Sequence, residues 1–344
     1  MKKTLLHLLI WVMSFFAVVG CRIHEFPEDR HQPVPFVLHL DFDAEMPLYK
    51  EIVHTRGDEI DTKNPHGEHD LRYLVNVYGS AADGKEERMP VRTFVFTKDD
   101  LDDLNNSVQI EVPQGEYTFR VWCDYVEEGS DSDKYYNTSD FSEIILADRE
   151  NHSGSNDFRD AFRGSVKATV SAIKNEATVQ MRRPMGKFKF ISTDLEVFVA
   201  DAVRKMSDKN QAFDKLLQSI NFKDYYVVFR YAAFMPCSFN MFTDKPADSW
   251  TNMSFRSMMT IGGENLTTMG FDYIFVNGKE TTLSIMLEVY DKDGEKISST
   301  NPINVPIVRS KMTVVKGKFL TSMASGGVSI NPGYDGDDYN VEIF

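Results

Sequence analysis

Cysteine is scarce in this sequence, three in 344 residues, and one of them, Cys21, ends a leader-like segment. Only Cys123 and Cys237 remain as thiols in the body of the chain, which excludes a disulfide-stapled scaffold. At this length no staple is needed, because two cores of ordinary size can be buried. Cys123 closes the alternating run Tyr117-Thr118-Phe119-Arg120-Val121-Trp122-Cys123 on the face of Tyr117, Phe119 and Val121. It reads as a small core residue, and no neighbour in sequence would lower its thiol pKa. Positive charge is also short: 38 Lys+Arg against 52 Asp+Glu gives −14, and removing the two lysines of the first twenty residues takes this to −16. That field excludes nucleic acid as a partner and general attraction to anionic lipid. Catalytic signatures are missing as well. There is no Gly-x-Ser-x-Gly elbow, no phosphate-cradling Gly-Lys-Ser/Thr loop and no His-Glu-x-x-His, so the chain is read as a non-enzyme with no catalytic residue, no cofactor and no metal site.

What is present begins with residues 1–20, which have the order of an export signal: Lys2-Lys3, a mostly apolar run from Leu5 through Ala17, and small residues before Cys21. As a transmembrane helix, even extended to Val19, the run would reach only about 23 Å against a hydrocarbon core of about 30 Å. It also contains His7, and no basic stop-transfer cluster follows. Ala17-Val18-Val19-Gly20-Cys21 resembles a bacterial lipobox, in which the Cys thiol takes a diacylglycerol before the signal is cut on its amino side. Lipidation at Cys21 is therefore expected, with stable attachment because each buried CH₂ contributes about 0.8 kcal/mol. Residues 21–35 read as a polar tether carrying Pro27, Pro33 and Pro35.

Most of the remaining sequence alternates apolar and polar residues in short runs between turn signals, the pattern of a sandwich rather than of a βαβ sheet. Strands are expected at Val34–Asp43, Asp70–Gly79, Val91–Phe96, Ser107–Val112, Glu116–Tyr125, Phe141–Leu146, Gly164–Ala172 and Glu176–Met181. A second set begins at Met185, after Arg182-Arg183-Pro184. The predicted organisation is an N-terminal sandwich at residues 36–183 and a C-terminal sandwich at 184–344. Asp201–Ile220 has apolar residues at helical spacing, from Ala202 and Met206 to Leu217 and Ile220, and predicts a helical insertion in the second sandwich. Lys98–Leu104 has the acidic first turn of a short helix. The carboxylates of Glu127–Asp140, Asp291-Lys292-Asp293-Gly294 and Asp335–Asp338 read as solvated turns rather than calcium sites, and His66 and His69 as solvated loop residues rather than zinc ligands.

Several segments together carry a resemblance: His69-Asp70-Leu71-Arg72-Tyr73, Val112-Pro113-Gln114-Gly115-Glu116-Tyr117, Met181-Arg182-Arg183-Pro184-Met185-Gly186-Lys187, Val305-Pro306-Ile307-Val308-Arg309 and Met312–Thr321. Over residues 36–344 the chain resembles the fimbrillin-related lipoproteins of Bacteroidetes, in a branch that is a domain family of unknown function related to FimB-type fimbrial anchors. The resemblance implies an all-β chain of two transthyretin-like sandwiches held at the outer membrane and displayed at the cell surface, with fimbrial subunits as partners. In shaft subunits of the wider family a trypsin-like protease cuts after an Arg in the first strand region and opens a groove for a donor strand. Arg56 is the matching candidate for protease processing here, whereas an anchor would keep its lipidated end. A glycan- or protein-binding lipoprotein unrelated to fimbriae, or a polymerising shaft or tip subunit, are the alternatives. The first would use exposed aromatics such as Trp122 or Trp250.

Overall fold

The computed structural model describes residues 32–42, 69–79, 87–98, 107–205, 220–262, 265–323, 328–329 and 338–343. The first half contributes β1 (Pro33–Phe42), β2 (His69–Gly79), β3 (Arg92–Lys98), β4 (Ser107–Pro113), β5 (Gly115–Glu127), β6 (Tyr136–Asn137), β7 (Ile144–Leu146), β8 (Ala161–Val170) and β9 (Glu176–Met181). Strands β3-β2-β5-β8 form an antiparallel sheet, and β4-β1-β9 forms a mixed one, with β1 and β9 parallel. Period-two patterning explains how they meet. Along β1, Phe36, Leu38, Leu40 and Phe42 are buried while His39 and Asp41 face solvent. Their inner faces join Tyr73 and Val75 of β2, Phe119 and Val121 of β5 and Val179 of β9 in one apolar core. Where β8 crosses to β9 the backbones come so close that a Cβ at Gly164 would lie 2.6 Å from the Gln180 carbonyl oxygen, so no larger residue fits.

The second half continues with β10 (Met185–Ser192), the helix α1 (Leu195–Lys205), β11 (Tyr225–Tyr231), β12 (Phe234–Pro236), β13 (Ser238–Asn240), β14 (Lys245–Pro246), β15 (Ser249–Thr251), β16 (Ser254–Met258), β17 (Thr260–Ile261), β18 (Thr267–Phe275), β19 (Glu280–Asp291), β20 (Lys296–Ser299), β21 (Ile303–Val308), β22 (Met312–Gly317), β23 (Val328–Ser329) and β24 (Asp338–Ile343). One sheet runs β17-β18-β10-β22-β24-β23; the other runs β16-β11-β19-β20, with β21 also paired to β19. Phe188 and Phe190 of β10 pack on Phe229 of β11 between them. The chain is an all-β, sandwich-type protein.

Two expectations change. The helix begins at Leu195 rather than Asp201, because Leu195, Phe198, Val199 and Ala202 already supply the buried stripe; residues 206–219 lie outside the described residues. The larger change concerns Trp122 and Trp250. Trp122 is fully buried and Trp250 is 9 % exposed. The face of β2 and β5 opposite the first core carries Leu74 and Trp122. It packs with Tyr136, Phe141 and Ile144 onto the core of the second half, which contains Phe239 and Phe275. Strand β7 even pairs with β13, so the sheet β14-β13-β7-β6 draws on both halves. Alternation in β5 separates the two faces but carries no information about a second layer covering the outer one.

Candidate functional site

Among the described residues, the first strand lies in the middle of a sheet. β1 pairs antiparallel with β4 from Pro33↔Pro113 to His39↔Ser107, and parallel with β9 from Val37↔Glu176 to Phe42↔Met181. It starts at Pro33, inside the segment read as tether, where prolines are tolerated because a strand's first residues need not donate to the ladder. Phe36 stacks on Phe119 at 5.0 Å between ring centroids, and Phe42 meets Phe162 edge-on at 5.1 Å. Polar contacts of β1 lie on the outside, as between His39 and Glu176 at 3.3 Å and in the Gln180 amide donating to Asp41 at 2.6 Å. The chemistry on offer is backbone pairing over an apolar trough. Cys21 and Arg56, the lipidation and processing candidates, both lie outside the described residues.

A second constellation lies at the junction of the halves. The Asp272 carboxylate on β18, 1 % exposed, accepts from the Tyr231 hydroxyl at 2.5 Å, lies 2.8 Å from His152 Nε2 and receives the Arg159 guanidinium. Burial alone would raise its pKa, but Arg159 and His152 outweigh burial and hold it below the ordinary carboxylate value. Arg183 binds Asp160 through Nε at 2.9 Å and lies over the Phe162 ring, while Lys187 reaches Asp157 at 2.6 Å beside the Tyr273 hydroxyl. The segment Asp157–Asp160 is thereby tied to β10 and β18. His152 faces the rings of Tyr231 and Phe255, which leaves a structural clamp rather than an acid–base site opening on a cavity.

Other candidates have structural occupations. Burial raises the thiol pKa of Cys123 well above its ordinary value and that of Cys237 to about 12, and both cysteines are free. His69 is not a solvated loop residue: it opens β2, is 7 % exposed, stacks on Phe158 at 3.7 Å and bonds the Tyr135 hydroxyl at 2.8 Å. In the loop after β5, Asp133 holds Arg72 and Thr138, and Asp140 accepts from Ser142. Asp291 accepts from the N–H groups of Asp293 and Glu295 in the β19–β20 turn. Among the described residues no group of three or more His, Cys, Asp or Glu could hold a metal ion, and no helix is long and apolar enough to cross a membrane. A cavity of about 270 Å³ lies between β2, the start of β3 and the 138–141 loop, lined by Asn76, Arg88, Thr93, Asp140 and Phe141 among others; Phe141 is buried there, so it offers no exposed ring for a sugar to stack on.

Residues 33–343 match the family of unknown function DUF6562. The chain belongs to this family. The match agrees with the resemblance seen in the sequence, to a domain family of unknown function. No curated protein matches the chain. Similar solved structures include a candidate polysaccharide-binding protein from Bacteroides thetaiotaomicron, 12% identical, with TM-score 0.42 over 77% of this chain and 79% of that one. A candidate cell adhesion protein from Bacteroides eggerthii is 12% identical, with TM-score 0.40 over 90% and 94% of the two chains. The fimbrial anchor protein Mfa2 from Porphyromonas gingivalis is 12% identical, with TM-score 0.35 over 78% and 82%.

Proposed function

We propose that this protein is an outer-membrane lipoprotein, acylated at Cys21, that acts at the cell surface as a fimbrial anchor or accessory subunit through strand pairing. One observation carries the reading: the first strand of the described residues after Cys21 is the central strand of a sheet, flanked by β4 and β9. An acylated amino terminus would thus be continuous with the core of the first sandwich. Two acyl chains give stable attachment where one is marginal. The burial of Cys123 and Cys237, which raises both thiol pKa values, is in keeping with a non-enzymatic role. We further propose that residues 36–183 and 184–344 act as two sandwiches docked over a shared apolar face, rather than as freely moving bodies.

The polymerising alternative makes an opposite use of the same strand. Arg56 follows β1, so cleavage after it would release β1 with the lipid and leave β4 and β9 without their common neighbour over the exposed apolar trough. An anchor retains β1. The test compares wild type with Arg56→Ala, reading the amino terminus of the protein in membranes and in sheared filaments. Acylated Cys21 as the first residue in membranes, unchanged by the substitution, is the expected result. Residue 57 as the first residue inside filaments, lost together with incorporation in Arg56→Ala, would establish a polymerising subunit instead.

A further inference from the structure

We propose that the end of the first sandwich from which β1 emerges carries an apolar rim that rests on the lipid surface. This rests on the proposed acylation of Cys21. Several connections share that end. Pro33 of β1 lies opposite Pro113, and the Val37 N–H donates to the Asn175 carbonyl at 2.8 Å, which places the β8–β9 connection beside the first half of β1. Gly115 pairs with Val170, and Gly79 with Tyr117, so the β4–β5 turn and the end of β2 lie there too. The Val91 N–H donates to the Val77 carbonyl at 2.8 Å and the Glu87 N–H to the Gly79 carbonyl at 3.0 Å, which adds Met89-Pro90-Val91 to the group. β1 and β9 both run away from this end toward the second half.

Three large apolar side chains stand out of it: Ile173 at 90 % exposure, Met89 at 79 % and Val91 at 49 %. Met89 and Val91 precede one edge strand of the four-stranded sheet, β3, and Ile173 follows the other, β8. Three inter-strand spacings, about 14 Å, therefore lie between them. Water gains nothing from such side chains, and a headgroup–acyl boundary would accept them. The tether says which surface is within reach. Residues 22–32 are eleven in number and span at most about 40 Å when fully extended, so the end bearing Pro33 is the end held near the bilayer. Charge is close to even there: exposed Arg88, Arg92 and Lys174 stand against exposed Glu87, Glu111, Glu116 and Glu176, in a chain whose net charge is −14. Contact of so few apolar groups would be too weak to recruit a free protein. In a tethered one it is intramolecular, and a small preference is enough to set orientation.

The experiment uses the full acylated chain in phosphatidylcholine vesicles containing a lipid with a shallow nitroxide quencher. An environment-sensitive fluorophore is placed at Ile173→Cys or, as the comparison, at Asp293→Cys in the exposed β19–β20 turn. Buried Cys123 and Cys237 leave the new thiol as the reactive one. The expected result is emission shifted to shorter wavelength at position 173 and quenching there at least about twofold stronger than at 293, unchanged by raised salt because the contact is apolar. Equal quenching at the two positions in protein that floats with the vesicles would overturn the inference and leave the acylation intact. So would a shift at 173 with no lipid quenching, as contact with a second copy would give. Failure of the wild-type chain to float, or flotation unchanged in Cys21→Ala, would instead remove the acylation and this inference with it.

Discussion

Around β1 the packing is made of rings and aliphatic chains: Phe36 on Phe119, Phe42 against Tyr73 and Phe162, Leu38 and Leu40 among valines. At the junction of the halves the same degree of burial is filled with charge, where Asp272 gathers Arg159, His152 and Tyr231, and Asp160 holds Arg183. The difference bears on what each region can exchange. Apolar burial is non-directional, so a trough of this kind accepts any strand with bulky residues at alternate positions. A buried ion cluster tolerates only the partner that satisfies each charge. The first region specifies little beyond shape and hydrophobicity, and the second suits a joint that must assemble in one way.

Asp272→Ala should break the comparison most severely, since it leaves the Arg159 guanidinium buried without its carboxylate at a cost of about 3–5 kcal/mol. Denaturant titration of wild type and variant measures this directly. Acid sharpens it. Because the folded-state pKa of Asp272 is depressed, its contribution is fully present above the unfolded carboxylate pKa of about 4 and is lost as pH falls through the lower folded value. The gap between wild type and variant should therefore narrow in strong acid. A gap unchanged in strong acid would contradict the ionic account.

Leu38→Ala, at a fully buried position of β1, should cost about 2–5 kcal/mol through lost burial and the cavity left behind. Its denaturation midpoint should fall by the same amount at pH 7 and in acid. The smallest effect belongs to Glu288, which Arg230, Lys296 and the Tyr290 hydroxyl hold at a pKa of about 2 against the opposing effect of partial burial. With Arg230 and Lys296 both more than two-fifths exposed, Glu288→Gln should change stability by about 0–1 kcal/mol, and less in high salt.

The strands were legible in the sequence wherever one face is buried over several residues, as in β1, β4, β9 and β19, because period two then persists long enough to read. The short strands β12 to β15 were not, having two or three residues each and a pairing decided by neighbours distant in the chain. Trp122 is a second case: alternation separates its face of β5 from that of Phe119, yet the layer covering it comes from residues after 135. The clamp on Asp272 was invisible for the same reason, with His152 lying 120 positions away. Phe198 and Val199 look strand-like beside Val197, and only the buried stripe from Leu195 to Ala202 reveals their helix.

β1 has a mechanical consequence too. It meets β4 through seven residue pairs and β9 through six, so a pull delivered at Pro33 along the strand acts in shear across ladders on both sides. Ladder bonds that lie across the direction of force resist together, whereas an edge strand peeled sideways yields them one by one. A chain tugged through its amino terminus would consequently give way only when the first sandwich itself comes apart.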